Sequence, residues 1–480
     1  MNQPDSRARR ISHNTLYLAL GDFFSRLSTW ALLAYLFRKW EVGVYGQYSL
    51  VTNWVSIFAM FSDIGFAPLT VREVAHHKEK AVFYLRNVLA LKSAFSILFW
   101  AGLILVSLVF HYEAVLKTGM AVMGLRIILD AVSGAYIYLL QAHEEMGFCA
   151  LMTVVGGAIR MVGIWTVVLA GGGIVGACWI WTLSSFISLV LLVWIGTSKG
   201  WKPRFPEVQF AEMKAVFQKA LSLAPFGGLQ FLYYRVDAVI LKSLSGNEAV
   251  GFYDAATRLL MVTLALSQLY CSALYPVFAS IQDDGKAFSR LAYRAVKSLI
   301  FMSLPICVGG YLLAGPLLVL IGSAKYAAAG PLFAVLALSI VPFFLSNIYV
   351  DILAVKNNYR LNAQFLVLLA LNILLNFILI PSMGARGAAW ATVGCEIFGL
   401  FLGFGLAAPY LRSFGPAQLL WPTLASLMAS LAMGAGIWWD PRLYWLAVGP
   451  VIYGLGLWLL RALDADDLRS LRSIVRWKRN

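Results

Sequence analysis

Apolar residues along this chain gather in long runs and not in short alternating strands. Ser96 to Phe110, Phe365 to Ile380 and Trp445 to Leu460 are almost unbroken. A membrane-spanning helix needs about 20 mostly apolar residues, whereas a transmembrane strand alternates apolar and polar positions between turns. The runs therefore predict helices. Fourteen are expected, near 14–37, 45–68, 84–110, 118–140, 148–170, 174–198, 218–242, 252–280, 296–317, 328–355, 362–380, 384–410, 417–438 and 443–461. The expected fold class is an all-α integral membrane protein of about 14 transmembrane helices joined by short loops.

The charges orient these spans. With a cytoplasmic N-terminus, 25 of the 38 Lys and Arg residues fall on the cytoplasmic side, seven on the other side and six inside spans. Basic residues are retained inside, so both termini are expected in the cytoplasm. Arg7, Arg9 and Arg10 precede an apolar stretch from Leu16 to Phe37 with no small-residue cleavage site behind it. That stretch reads as a permanent first span and not as a signal peptide.

Composition agrees. The chain is 60% hydrophobic and 13% charged, with a net charge of +15. Soluble domains are about 45–50% apolar and about 25% charged, so a soluble enzyme of several domains is excluded, as is disorder. No P-loop, HExxH, GxSxG or Cys/His cluster stands in the chain, so no catalytic role, metal or nucleic-acid partner is expected. The five cysteines lie in expected spans without a CxxC pair and read as packing residues.

A repeat of about 210 residues organises the helices. Val42-Gly43-Val44-Tyr45 returns as Val250-Gly251-Phe252-Tyr253, and the GxxGAxW pattern from Gly173 to Trp179 returns from Gly384 to Trp390. The offsets, 208 and 211, agree within three residues. Helices 1–6 and 7–12 then read as two copies of one six-helix unit, related by a pseudo-two-fold axis along the membrane normal with a site between them, and helices 13 and 14 fall outside the repeat. The expected division is an N-lobe over 1–200, a cytoplasmic linker over 201–217, a C-lobe over 218–412, helices 13–14 over 413–462 and a basic cytoplasmic tail over 463–480.

With these motifs in place, the chain resembles the polysaccharide flippase family of the MOP superfamily, relatives of the MATE transporters and the lipid II flippase. The resemblance rests on the run from Glu41 to Ser49, Asp63 to Phe66, Val71 to Ala75, Arg235 to Leu241, Val250 to Tyr253, Tyr275-Pro276 and the run from Gly384 to Trp390. It implies two pseudo-symmetric six-helix lobes around a central cavity plus two extra C-terminal helices, and a flippase of the bacterial inner membrane. Such a protein moves an isoprenoid-diphosphate-linked oligosaccharide, of the undecaprenyl diphosphate type, to the outer leaflet by alternating access. The product would serve O-antigen, lipopolysaccharide, exopolysaccharide or related surface polymers, with membrane lipids and polysaccharide polymerase machinery as partners. The alternatives are a MATE-like exporter of small solutes, a membrane polysaccharide polymerase or ligase, and a structural role in an envelope assembly.

Charges inside spans carry the chemistry. Each arginine at mid-membrane costs roughly 2.5–3.5 kcal/mol, so the five at Arg26, Arg126, Arg160, Arg235 and Arg258 must face a polar interior or a partner. Asp22–Arg26, Arg126–Asp130 and Asp254–Arg258 stand at i,i+4, where side chains meet on one face. Arg160 has no such acid, and Asp237 is only two residues from Arg235. The expectation is that Arg26, Arg235 and Arg258 bind a diphosphate or an acidic sugar, supported by Arg126 and Arg160, since the guanidinium fork suits phosphate oxygens. Asp22, Asp130, Asp237, Asp254 and Glu396 are the candidates for charge partners or for Na⁺ or H⁺ coupling. Lys92 is expected to snorkel to the membrane surface, and Asp63 and Asp351 to be structural.

Overall fold

The computed structural model describes residues 4–63, 65–203, 209–222, 227–356, 360–411 and 415–463. The expected basic tail from Asp464 lies outside the described residues. Within them the regular structure is helical, and the chain divides into two compact units, Met1–Arg235 and Val236–Asn480.

The first unit holds α1 (Pro4–Lys39), α2 (Val42–Phe61), α3 (Phe66–His76), α4 (Ala81–Val109), α5 (Ala114–Ala142), α6 (Met146–Leu169), α7 (Gly173–Ser198), α8 (Phe210–Ser222) and the first residues of α9 (Gly227–Ser280). The second unit holds the rest of α9, then α10 (Gly285–Leu312), α11 (Ala314–Gly322), α12 (Gly330–Ala337), α13 (Ile340–Val355), α14 (Arg360–Met383), α15 (Ala385–Ala407), α16 (Leu420–Trp439) and α17 (Trp445–Leu459).

Among the described residues, nine helices are long and apolar enough to cross a membrane, and two bent pairs, α2 with α3 and α12 with α13, bring the number to eleven. The other three expected spans are also helical. α9 breaks at Gly246 (φ 84°), which divides its 54 residues into two spans. α1 is 36 residues long, and its Asp22 and Arg26 dilute its apolar run. α17 has only 15 residues, short of the roughly 20 of an average span.

The seventh span is expected from residue 218; on either side of that segment's undescribed residues, Phe210–Ser222 form α8 and α9 is described from Gly227. α8 is amphipathic: Met213, Val216, Phe217 and Ala220 pack into a core built by α3, α4, α5, α6 and α7. Its Glu212 reaches Arg86 on α4 at 2.8 Å. The charges at Glu212, Lys214 and Lys219 suit the edge of a membrane and not its interior.

The repeat is visible in packing and in backbone. In the first unit α7 packs on α5 and α6, and α5 on α4. In the second, α15 packs on α12, α13 and α14, and α10 on α12 and α13. The GxxG pattern has the same function in both. Gly173 (φ 59°) and Gly384 (φ 57°) take the left-handed backbone as their helices begin, a conformation glycine adopts without steric cost. The second glycine of each pattern admits the preceding helix: a Cβ on Gly176 would stand 2.5 Å from Val167 Cγ1, and one on Gly387 2.4 Å from the Leu379 carbonyl oxygen.

Candidate substrate- and ion-binding residues

All three i,i+4 pairs form. Arg26 Nε lies 2.7 Å from Asp22 Oδ2 on α1, with both side chains largely exposed. Arg126 Nε lies 2.7 Å from Asp130 Oδ2 on α5, and Arg258 Nε 3.1 Å from Asp254 Oδ2 on α9. Asp254 is buried, so its charge is held in place by the arginine one turn on. A buried carboxylate without such a partner would carry a desolvation cost of several kcal/mol.

Arg160 and Arg235 have other surroundings. Arg160, on α6, donates from Nη1 to Ser184 Oγ on α7 at 3.3 Å, and its guanidinium lies 4.8 Å from the centre of the Trp181 ring. No carboxylate pairs with it among the described residues. Arg126 lies 4.7 Å from the same ring. Four helices therefore bring Arg126, Asp130, Arg160, Trp181 and Tyr48 together, the last by a 2.7 Å hydrogen bond from Trp181 Nε1 to the Tyr48 hydroxyl. Arg235 donates from Nη1 to Asn53 Oδ1 on α2 at 2.5 Å and lies over the Phe231 ring.

Asp237 is 6% exposed, and among the described residues every partner it has is neutral. The Tyr253 hydroxyl donates to Oδ2 at 2.7 Å, Asn376 Nδ2 to Oδ1 at 2.8 Å, and Thr392 Oγ1 lies 3.3 Å from Oδ2. Asn376 Nδ2 also reaches Asn372 Oδ1 at 3.1 Å. The two halves of α9, with α14 and α15, thus build a polar, oxygen-containing ring around one carboxylate. The Asn376 side-chain oxygen is buried there without a hydrogen-bond partner. Oxygen donors and one negative charge suit a small hard cation or a proton. Glu396, one turn beyond Thr392 on α15, is also buried.

Lys92 does not snorkel. It is 2% exposed, 3.2 Å from Asp63 Oδ1, and donates to the Tyr138 hydroxyl at 2.7 Å. Tyr138 in turn donates to Asp63 Oδ2. Burial of an ammonium requires a counter-charge, and Asp63 supplies it from the break between α2 and α3, 29 residues away in sequence. Composition and spacing on one helix could not reveal that partner. The neutral ring around Asp237 did leave a signal: Tyr253 closes the second copy of the VGxY anchor, and Thr392 lies two residues beyond the second GxxGAxW.

Comparison with known proteins agrees with this architecture. Residues 11–282, more than half of the chain, match the profile of the family described as polysaccharide biosynthesis protein. A probable low-salt glycan biosynthesis flippase of Haloferax volcanii is 23% identical over 441 residues, covering 88% of this chain and 89% of that protein. Among solved structures, the lipid II flippase MurJ in an inward closed conformation superimposes with a TM-score of 0.75 at 16% identity, covering 95% of this chain and 99% of its own. An inward-facing multidrug resistance MATE family transporter of the MOP superfamily gives 0.65 at 14% identity, covering 83% and 98%. At these identities the structural likeness is one of fold. The sequence match over more than half of the chain makes this multi-pass membrane protein a member of the polysaccharide biosynthesis protein family.

Proposed function

We propose that the protein is a flippase for isoprenoid-diphosphate-linked oligosaccharide, moving it from the cytoplasmic to the outer leaflet of a bacterial inner membrane by alternating access, with both termini cytoplasmic. The observation that carries the reading is the set of arginines held within predicted spans, of which Arg160 is without a carboxylate partner among the described residues. Arginines so placed cost free energy in a membrane unless they meet an anion. Arg26, Arg235 and Arg258 receive the diphosphate or an acidic sugar, with Arg126 and Arg160 in support. The likeness to a glycan biosynthesis flippase supports this reading over a small-solute exporter, and the loops are too short to house the catalytic groups of a polymerase or ligase. The chain's part is transport, with polymerase machinery acting on the product.

We assign ion coupling to Asp237. A carboxylate ringed by the neutral groups of Tyr253, Asn372, Asn376 and Thr392 offers Na⁺ or H⁺ a negative charge that no cationic side chain pairs with among the described residues, whereas Asp22, Asp130 and Asp254 are already paired with arginines.

The test is complementation of surface-polymer export in a strain lacking this protein, at matched protein level. Arg26→Ala and Arg235→Ala combined should abolish export. Full export by that double variant would refute the assignment of those residues.

A further inference from the structure

Two guanidiniums share one indole in the first unit. The Cζ atoms of Arg126 and Arg160 lie 4.7 and 4.8 Å from the centre of the Trp181 ring. Like charges repel, so something must hold them there. The negative face of an aromatic ring attracts a cation, most strongly where water is scarce. The ring is itself fixed, because its Nε1 donates to the buried Tyr48 hydroxyl at 2.7 Å. Arg160 is also steered from its own helix. Its Nη1 passes over Gly156, where a Cβ would stand 3.0 Å away, and then meets Ser184.

The charge count of this cluster is simple. Asp130 balances Arg126 at 2.7 Å. Lys92, a buried cation on α4, is balanced by Asp63 at 3.2 Å. Arg160 remains, with one hydrogen bond used out of the five its fork can donate. The cluster thus keeps one positive charge and an open guanidinium edge.

We infer that Trp181 is a positioning residue that turns Arg126 and Arg160 into a receptor for one singly charged oxyanion, the carboxylate of an acidic sugar. The inference rests on the reading of these arginines as part of the substrate receptor, and it separates their role from that of the residues assigned to the diphosphate. A diphosphate carries more charge than this cluster can balance, whereas one carboxylate neutralises it and matches the planar fork in two parallel hydrogen bonds.

The full-length protein, purified in detergent, is titrated with glucuronate, glucose and inorganic diphosphate while binding heat is recorded. The wild type should bind glucuronate and not glucose. Trp181→Leu should weaken glucuronate about tenfold, while Trp181→Phe, which keeps an aromatic face, should stay within about threefold. Gly156→Ala, which displaces Arg160 without removing a charge, should weaken glucuronate as well, and it serves as the probe if Trp181→Leu does not fold. Diphosphate affinity should be the same in all of these variants. Unchanged glucuronate binding in Trp181→Leu and Gly156→Ala, with binding lost in Arg160→Gln, would overturn the positioning role and leave the receptor reading intact. Equal loss of glucuronate and diphosphate in Trp181→Leu would overturn the assignment to a single charge. Wild-type affinity for both anions in Arg126→Gln and Arg160→Gln would overturn the receptor reading itself.

Discussion

Gly173 and Gly384, 211 residues apart, stand at the starts of two equivalent helices with nearly the same φ, 59° and 57°. Each is followed three residues later by a glycine that lets the helix start against its neighbour. What the missing Cβ would strike differs, however: the end of a valine side chain at Gly176, and main-chain atoms of Leu379 at Gly387.

The two glycines should therefore respond unequally to alanine. Val167 can turn away from Gly176→Ala, whereas Gly387→Ala requires α14 and α15 to separate. Overpacking that moves backbone costs about 1–3 kcal/mol. Gly387→Ala should lose thermal stability in detergent by that amount and Gly176→Ala by less. Equal losses would show that the match in backbone extends to the tolerance of the contact.

The buried Lys92 should depend on Asp63. Asp63→Asn leaves an ammonium in an apolar interior, a cost of about 3–5 kcal/mol when one partner of a buried pair is removed. Lys92→Met together with Asp63→Asn removes both charges, and the double variant should be more stable than Asp63→Asn alone. The folded fraction after solubilisation, followed by fluorescence-detected gel filtration, reads this directly. A double variant less stable than either single one would mean that the pair is not the source of the cost.

If Asp237 holds sodium, replacing choline by Na⁺ should raise the thermal midpoint of the wild type and leave Asp237→Asn unmoved. A ligand at a hundred times its dissociation constant adds about 2.7 kcal/mol to the bound state. Thr392→Ala and Asn376→Ala, which remove neutral oxygens from the ring, should weaken the response without abolishing it. A wild type indifferent to Na⁺ would discard the sodium form of the coupling.

The anchor of α8 should also be separable. Arg86 and Glu212 are mostly buried and 2.8 Å apart, and Phe217 packs tilted against Phe95 with ring centres 5.4 Å apart. Glu212→Gln should raise amide exchange across Phe210–Ser222 while that of α4 away from Arg86 stays constant. Arg86→Met should have a similar effect, whereas Lys214→Gln, which those contacts do not include, should leave exchange in α8 as it is.

Much of the fold was legible because membrane helices advertise themselves by length and composition. The apolar runs found α4, α7 and α14 without any knowledge of their neighbours, and the GxxG pattern located the starts of α7 and α15. Pairs four residues apart were equally plain, since Asp254 and Arg258 need only their own helix to meet. The harder features are those assembled by several helices. Lys92 looked like a surface residue because Asp63 and Tyr138 lie on other elements. Trp181 looked like one of sixteen tryptophans, and only the approach of α5 and α6 gives it two cations. Asn372 and Asn376 carry no charge to draw attention, although they help define the surroundings of Asp237.

A carboxylate kept in a neutral ring within a membrane also responds to voltage. Moving one elementary charge through 100 mV is worth about 2.3 kcal/mol. On the proposed coupling, Asp237 and its ring would present no net charge to that field with a monovalent ion bound, and one negative charge with the ion gone. The electrical potential of the cell would then act on the unloaded form alone and bias the step by which the empty protein resets.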